Sequence, residues 1–387
     1  MEPEFDVIVA GGGVCGLIAA REIASSNLSV SVLEEDSEIG IPERCAGLIS
    51  VKALASLGLF PSRRIVNNEI KRAIIHSPLG SKVEVNATKQ RVIVLNRREF
   101  DREIARIAEK NGAFIDLGQR VLSIEDKDGL VKVKTAKHER SARIFVDARG
   151  LSSLKPGHGI LQAAQYDIQG SWFEIDRVEI YLDNRATPGF FKWLIPLNED
   201  TARLGVAGYG INPIEHLDEF INDHKAKVIK KTVSPIFIGG ASKSFVHGNI
   251  VAAGDAAGQT KPTTGGGIFT GGIGALLAGR AISNSLLNDN PSALKDYEVE
   301  WRRIFRKEFM IMSRARKIYE KIDNERIEKI LKALLSSNIL DKLSNEADFD
   351  YHSIGIFQIL SIIKEYPSLA LELIKLGFGT IFDLFKS

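Results

Sequence analysis

A glycine-rich turn between an apolar strand and an apolar helix lies near the N-terminus. Residues 5–10 (FDVIVA) are almost all apolar, as in a parallel strand that is covered on both faces. The next residues read GGGVCG, so that Gly11, Gly13 and Gly16 form a G-x-G-x-x-G pattern ahead of a helical segment. The first glycine allows a tight turn, the second lets a pyrophosphate approach the backbone, and the third lets helix and strand pack closely. The pattern therefore predicts a βαβ unit that binds a dinucleotide.

The second strand of this unit ends in a carboxylate. Residues 29–33 form the strand, and Glu34 follows the glycine turn by about 20 residues, where a ribose hydroxyl finds its acceptor in such folds. Cys15 lies inside the turn and is interpreted as a small residue beside the cofactor. Because FAD and NAD sites share this first motif, it does not distinguish the two cofactors.

A second glycine motif, far along the chain, does distinguish them. Residues 251–258 (VAAGDAAG) end a strand with a Gly-Asp pair, and Asp255 is suited to hold the ribityl hydroxyls of a flavin. Residues 262–268 (PTTGGGI) then begin a helix, whose N–H groups and dipole would stabilise negative charge on a reduced flavin. The residues expected to contribute these N–H groups are Gly265, Gly266, Gly267 and Ile268. The cofactor predicted from the two motifs together is FAD.

The paired motifs resemble the FAD-binding fold of the p-hydroxybenzoate hydroxylase type. Residues 96–101 (NRREFD) are similar to its R-x-x-F-D helix start, which implies that Arg97 faces the cofactor. Val121, on the strand after that helix, matches a position whose backbone meets the adenine, although core packing accounts for it equally well. Residues 148–153 (ARGLSS) resemble the A-D-G-x-x-S segment, but Arg149 replaces the aspartate, so no cofactor role is predicted there.

Two further segments resemble one branch of this fold, the geranylgeranyl reductase family. Residues 42–48 (PERCAGL) are similar to its P-x-R-C-G-E-G-L segment, with one residue fewer, and residues 188–196 (PGFFKWLIP) to its P-x-x-Y-x-W-x-F-P motif. The run KPTTGGGI at 261–268 is typical of archaeal members, and the resemblance covers about residues 1–290. It implies FAD-dependent saturation of isoprenoid double bonds in membrane lipids, such as digeranylgeranylglycerophospholipids. It also implies flavin contacts for the residues Arg44, Cys45, Ala46 and Gly47.

The aromatic residues of the second segment suit this chemistry. Saturating an isolated alkene requires a hydride at one carbon and a proton at the other, and aromatic faces stabilise the developing cation. Strand alternation predicts that Phe191 and Trp193 share one face, with Phe190 and Lys192 on the other. An ordinary aromatic sheet core is the alternative. Cys45 and an ordered water are both candidates for the proton donor.

Other flavin chemistries remain open at this stage. Residues 191–196 (FKWLIP) differ by one substitution from the W-x-W-x-I-P motif of flavin halogenases, so a monooxygenase or halogenase is the first alternative. A redox-neutral prenyl cyclase and a flavin-holding electron carrier are the others. Electrons are expected from NAD(P)H or from a ferredoxin-like protein.

The order of patterns predicts an α/β fold, α+β overall, with an inserted sheet. The FAD-binding Rossmann-like domain is assigned to residues 1–60, 91–160 and 245–290, and the antiparallel-sheet substrate domain to 61–90 and 161–244. A C-terminal helical region is assigned to 291–387, with breaks near residues 290–291 and 367.

Composition and the C-terminal region indicate which partners to expect. A net charge of +2 gives no reason to expect nucleic acid. The two cysteines and the unclustered histidines predict neither a disulfide framework nor a metal site, and no leader or spanning segment is evident, so a cytoplasmic setting is expected. Residues 301–321 form a basic helix and 369–385 are densely apolar, so they either cover the protein's own core or contact the inner membrane face peripherally. No oligomeric state is predicted.

Overall fold

The computed structural model describes residues 2–87, 90–154, 157, 159–337 and 339–376. Within it the chain forms two compact units, each assembled from three separate segments. The first unit comprises Met1–Glu43, Asn96–His158 and Phe237–Arg306, and the second comprises Arg44–Leu95, Gly159–Ile236 and Lys307–Ser387.

Strands predominate in the first two thirds of the chain, and the described elements after Ala253 are helices. The strands are β1 (Phe5–Ala10), β2 (Val30–Glu34), β3 (Leu48–Ser50), β4 (Val66–Ile70), β5 (Arg72–His76), β6 (Lys82–Asn86), β7 (Val92–Leu95), β8 (Phe114–Leu117), β9 (Val121–Lys127), β10 (Leu130–Thr135), β11 (Glu139–Asp147), β12 (Ile160–Gln169), β13 (Arg177–Leu182), β14 (Phe191–Pro196), β15 (Thr201–Gly208), β16 (Lys227–Val233), β17 (Ile236–Phe237), β18 (Val246–His247) and β19 (Ile250–Ala252). The helices are α1 (Val14–Ala24), α2 (Val51–Ser56), α3 (Arg97–Lys110), α4 (Pro213–His224), α5 (Ile268–Leu287), α6 (Leu294–Tyr319), α7 (Asn324–Leu335), α8 (Ile339–Glu346), α9 (Ser353–Ile363) and α10 (Pro367–Lys375).

A parallel sheet forms the centre of the first unit. Its strands follow the order β8-β2-β1-β11-β19, all parallel, with β18 antiparallel at one edge. Strand β1 is completely buried from Val7 to Ala10, as the apolar run predicts. Helix α1 contacts β1 and β2, and Ile8 and Ala10 pack with Val131 and Val133 of β10. Helix α1 packs against α5 and α3. The two glycine motifs follow the carboxyl ends of β1 and β19, which lie on either side of β11. This edge of a parallel sheet is where dinucleotides bind.

An antiparallel sheet forms the centre of the second unit. The strand order is β16-β12-β15-β14-β13-β5-β6, in which only the β13–β5 pair is parallel. Helix α4 packs on one face through Leu217 and Phe220, which meet Tyr166, Leu194 and Leu204 of the sheet. The antiparallel sheet that the sequence predicts is therefore present.

The C-terminal helices have more breaks than the two expected. Helices α6, α7 and α8 end at Tyr319, Leu335 and Glu346, and each break is followed by a new helix start, such as the Asp323 cap of α7. An Asp side chain at this position accepts a backbone N–H and favours a new helix.

Much of the apolar surface of these helices is buried. Ile318, Leu331, Leu334, Leu360 and Leu373 pack in one cluster. By contrast, Leu371 is 62% exposed. Within the described residues, no helix is both long enough and apolar enough to cross a bilayer.

Candidate active site

The three glycines of the N-terminal motif have different surroundings. A Cβ on Gly11, whose φ is +106°, would lie 2.3 Å from the carbonyl oxygen of Ala148. A Cβ on Gly16 would lie 1.9 Å from the carbonyl oxygen of Gly11. In front of Gly13, however, no atom of the described chain lies within 4 Å of a Cβ position. Gly11 and Gly16 therefore allow the strands and α1 to pack, and Gly13 leaves open space at the start of α1.

Glu34 holds this turn in place at the end of β2. Its carboxylate accepts hydrogen bonds from the backbone N–H of Gly12 and, at 2.8 Å, from that of Asp36. Burial raises the pKa of Glu34 above its ordinary value, and the two N–H donors offset this in part. The carboxylate thus lies beside the glycine turn, where the sequence motif requires a ribose acceptor.

The second motif forms a closed loop at the start of α5. Backbone hydrogen bonds join Lys261 to Gly266 at 3.0 Å and Gly265 to Lys261 at 2.9 Å. The Thr260 hydroxyl donates to the Asp255 carboxylate, and a Cβ on Gly267 would lie 3.1 Å from that carboxylate. Burial raises the pKa of Asp255. Asp255 and the glycine loop therefore converge at the N-terminus of α5, which Ile268 begins as a buried residue.

The helices after the two glycine motifs begin differently from several others. Helices α3, α4 and α7 are capped by the side chains of Asn96, Asn212 and Asp323. The N-termini of α1 and α5, at Gly13 and Gly267, receive no side-chain cap from the described residues. The first N–H groups of a helix without such a cap can bind an anionic or carbonyl oxygen. The N-terminus of α1, with the open space at Gly13, fits the pyrophosphate of FAD. The N-terminus of α5, with its glycine loop, fits the pyrimidine ring.

Arg97 lies next to the second motif, at the first position of α3. Its guanidinium donates to both carboxylate oxygens of Asp101, at 3.0 and 2.9 Å. Burial raises the pKa of both Asp255 and Cys15, and the positive charge of Arg97 offsets part of that rise. Arg97 and Asp255, which are distant in sequence, are therefore close in the first unit.

Cys15 fills a gap between two glycines. Cβ atoms built on Gly254 and Gly271 would lie 2.7 and 2.9 Å from its Sγ. Burial, together with the charge of Asp255, raises the pKa of the Cys15 thiol to about 12. The thiol is protonated at neutral pH and packs α1 against the second motif.

A buried hydrogen-bond network supports this second motif. The sequence analysis did not predict it. The Gln259 side chain accepts from the Gly254 N–H at 2.9 Å and donates to the Tyr297 hydroxyl at 2.8 Å, which in turn donates to the Ala252 carbonyl. The Trp301 indole donates to the carbonyl of Thr270 at 3.0 Å. Helix α6 thereby fixes both the Gly-Asp turn and α5. No pattern in the sequence marks these partners.

The structure also shows the positions of Val121 and Arg149, which were compared with the hydroxylase-type motifs. The strand that directly follows α3 is β8, so the placement of Val121 on that strand was wrong. Val121 begins β9 and packs on the core of the first unit.

Arg149 makes two hydrogen bonds to Asp147, at 2.9 and 2.8 Å, and Ser153 adds a third at 2.6 Å. Although burial acts in the opposite direction, these bonds lower the pKa of Asp147. The arginine that departs from the family pattern is therefore paired within its own segment.

The segment Arg44–Gly47 belongs to the second unit and is held by a buried ion pair. Arg203, only 2% exposed, binds both oxygens of Asp167 at 2.7 and 3.1 Å and donates to the Cys45 carbonyl at 2.9 Å. The Gly47 N–H donates to the Cys45 Sγ at 3.4 Å, and a Cβ on Gly47 would lie 2.7 Å from the Leu95 carbonyl oxygen. Arg44 is exposed, whereas Cys45 and Ala46 are half-buried. Arg203 thus fixes the backbone that carries the thiol.

The aromatic residues of β14 form a cluster. The rings of Phe191 and Trp193 lie 6.2 Å apart, edge to face, and the indole lies over Gly205, where a Cβ would come within 2.1 Å of it. Lys192 points to the opposite face, with its ammonium 5.1 Å from the Phe220 ring of α4. Trp193 is 8% exposed, and its indole N–H finds no acceptor among the described residues. The shared face of Phe191 and Trp193 is as predicted.

Phe190 does not lie on the face predicted for it. Its ring stacks on that of Phe191 at 4.1 Å and meets Trp193 edge to face at 6.3 Å. Phe190 precedes the strand in a turn closed by its N–H bond to the Thr187 carbonyl. Strand alternation does not apply there, which is the physical reason for the error.

Comparison with known proteins assigns the chain to a family. No protein-family model matches it. The digeranylgeranylglycerophospholipid reductase 2 of Methanopyrus kandleri is 31% identical over 381 residues, covering 89% of this chain and 93% of that protein. The chain belongs to the geranylgeranyl reductase family. The family and the enzyme class predicted from the sequence, an FAD-dependent oxidoreductase, are thereby confirmed.

Solved structures confirm the fold class of this geranylgeranyl reductase family member. A geranylgeranyl bacteriochlorophyll reductase-like protein from Thermoplasma acidophilum has a TM-score of 0.84 at 24% identity, covering 96% of this chain and 99% of that one. The p-nitrophenol 4-monooxygenase of Pseudomonas putida has a TM-score of 0.70 at 17% identity, over 96% and 99% of the two chains. Both similarities concern the fold alone.

Proposed function

We propose that the protein saturates carbon–carbon double bonds of isoprenoid chains in lipids or lipid precursors, with FAD as its cofactor. The proposal is supported above all by the similarity to the Methanopyrus protein named a digeranylgeranylglycerophospholipid reductase. The glycine motifs of the first unit and the Cys45 and Trp193 segments of the second unit agree with it.

The first unit would hold FAD through backbone groups and two carboxylates. Gly13 and the N-terminus of α1 are suited to the pyrophosphate, and Glu34 to the adenosine ribose. Asp255 is suited to the ribityl chain, and the start of α5 to the pyrimidine ring. When bound and reduced, FAD supplies the hydride that the alkene requires.

The second unit would supply the surroundings of the alkene. The faces of Phe191 and Trp193 stabilise positive charge at the methyl-bearing carbon and exclude water from it. A proton must reach the other carbon, and Cys45 is the candidate donor on this chain, with an ordered water as the alternative. A proton given up by the Cys45 thiol returns from solvent, so the thiol is unchanged after each turnover. Electrons are proposed to come from NAD(P)H or a ferredoxin-like protein.

Anaerobic turnover tests the proposal. The purified protein, loaded with FAD and reduced with dithionite, is mixed with geranylgeraniol or geranylgeranyl diphosphate, and the products are analysed by mass spectrometry. We expect a gain of two mass units for each double bond and consumption of one two-electron equivalent of reductant per bond. An isomeric product without loss of reductant would instead indicate a cyclase. Oxygen consumption stimulated by substrate would indicate a monooxygenase.

Substitution of Trp193 tests the role of the aromatic strand. We expect Trp193→Leu to slow alkene reduction about tenfold, since a cation–π contact contributes about 1–2 kcal/mol, and Trp193→Phe to slow it less. Single-turnover rates and the flavin absorbance of both variants are measured together. Equal rates in the two variants, with full flavin occupancy, would assign Trp193 to packing alone.

A further inference from the structure

Arg316 is a buried cation of the second unit whose hydrogen-bonding capacity is not used. It lies on α6 and is only 5% exposed. Its Nε and one Nη atom have no hydrogen-bond partner among the described residues. The carboxylate that faces it, that of Glu320, lies 3.4 Å from Nε, too loosely placed to satisfy a guanidinium with five donors. A buried charged donor without a partner is costly, so such a group requires an explanation.

Two aromatic rings lie close to this guanidinium. Its central carbon lies 4.8 Å from the centroid of the Phe190 ring and 5.8 Å from that of Tyr319. The Tyr319 hydroxyl donates to the Phe190 carbonyl at 2.8 Å, which fixes the two rings relative to each other. Nε and one Nη therefore keep N–H groups that no described residue accepts. Two such N–H groups of one guanidinium can bind a phosphate through two parallel hydrogen bonds.

The same rings connect Arg316 to the aromatic strand. Phe190 stacks on Phe191, which meets Trp193 edge to face. A cation at one end of an aromatic row matches a molecule in which an anion is joined to a long apolar chain. Burial lowers the pKa of Arg316, and a bound anion would raise that pKa again.

We propose that Arg316 binds the phosphate group of a prenyl-chain substrate, with Phe190 and Tyr319 orienting the guanidinium. The inference rests on the proposed function and adds to it the residue that binds the phosphate of the substrate. Glu320 then competes with the phosphate for the same guanidinium.

Binding of a phosphorylated and a neutral prenyl ligand tests the proposal. The full-length FAD-loaded protein, its Arg316→Met and Arg316→Lys variants, and the control Lys317→Met are compared by titration with geranylgeranyl diphosphate and geranylgeraniol. Lys317 is the exposed next residue on α6, so its removal changes the net charge equally. For Arg316→Met we expect the Kd of the diphosphate to rise about tenfold or more and that of the alcohol to stay unchanged. Lysine at this position, which lacks the fork, should give an intermediate Kd for the diphosphate.

A variant with the opposite effect strengthens the test. Glu320→Gln removes the competing carboxylate, and we expect it to lower the Kd of the diphosphate several-fold without affecting the alcohol. Melting temperatures of all variants show whether each is folded. Equal diphosphate affinity in the wild type and Arg316→Met would overturn the proposal, as would an equal loss of both ligands. Inorganic pyrophosphate that binds as tightly as geranylgeranyl diphosphate would assign the site to free phosphate and overturn the lipid assignment.

Failure of the inference is distinct from failure of the proposed function. If the wild type reduces prenyl chains while diphosphate affinity is independent of Arg316, only the phosphate site is wrong. If affinity depends on Arg316 but neither ligand gains mass under anaerobic reduction, the site is supported and the reductase assignment is wrong.

Discussion

Two glycines of the N-terminal turn exclude side chains for different reasons. At Gly16 a methyl group would overlap the backbone of Gly11, whereas at Gly13 it would enter open space at a φ that any residue adopts. Packing thus requires a glycine at position 16. At position 13 only a bound group can require one. We therefore infer a structural role for Gly16 and a binding role for Gly13.

We predict opposite results for alanine at these two positions. Gly16→Ala should lower the free energy of unfolding by about 3 kcal/mol, since the backbone must shift to admit the methyl group. Gly13→Ala should leave the melting temperature of the FAD-free protein within a degree or two but weaken FAD binding at least tenfold. Thermal denaturation with and without FAD, and flavin titration, measure both effects. A Gly13→Ala protein that binds FAD normally would contradict the pyrophosphate site.

At the scale of elements, paired strands position the chemically important segments. The register of β12 and β15 places Asp167 opposite Arg203, and the arginine reaches from the sheet to the Cys45 carbonyl. The parallel pair β5 and β13 likewise brings His76 to within 2.8 Å of Glu179. Both contacts join residues that are distant in sequence.

Breaking the Arg203 pair should destabilise the second unit. We expect Arg203→Met to cost about 3 kcal/mol, because it leaves the Asp167 carboxylate in the sheet without its partner. The exposed pair Lys231–Asp218 serves as a control, since Lys231→Met should cost much less than Arg203→Met. Urea denaturation gives both values, and the rate of Cys45 alkylation should rise in the folded Arg203→Met protein as its loop loosens. Unchanged alkylation would show that Arg203 does not position the thiol.

The Glu179 cluster should make stability depend on pH below about 4.5. Hydrogen bonds from His76, and then from Tyr181 and Arg177, lower the pKa of Glu179 to about 2 against the effect of burial. A carboxylate with a lowered folded-state pKa stabilises the fold above its unfolded pKa of about 4.3, and this stabilisation is lost as the pH falls towards 2. Glu179→Gln should therefore be less stable than the wild type at pH 7, by about 2 kcal/mol at most, and nearly equal to it at pH 2.5. Denaturation at both pH values tests this, and a constant difference would contradict it.

At the scale of the whole molecule, the C-terminal helices combine a buried cluster with an exposed apolar surface. Leu369 and Leu373 of α10 pack in the core, whereas Leu371 and Ile374 are exposed. The apolar residues predicted at 378, 381, 382 and 385 lie outside the described part of the chain. We propose that the exposed side of α10 contacts the membrane peripherally, as a lipid substrate would require.

Vesicle co-sedimentation tests this contact. We expect the wild type to sediment with anionic vesicles at low salt, and the Leu371→Gln/Ile374→Gln double variant to sediment several-fold less at an unchanged melting temperature. Leu369→Gln, at a buried position of the same helix, should instead lower the melting temperature. Equal sedimentation of the wild type and the double variant would remove α10 from the proposed contact.

The sequence by itself determined the FAD-type fold and the family, because the glycine turns, their strands and the Trp193 motif are contiguous and each meets a local backbone requirement. It also predicted the shared face of Phe191 and Trp193 from strand alternation. Only the tertiary structure decided which distant groups meet: Arg203 at the Cys45 carbonyl and Arg316 on Phe190. The physical reason is that periodicity reports which face of an element is buried, whereas the partner on that face depends on how strands and helices pack.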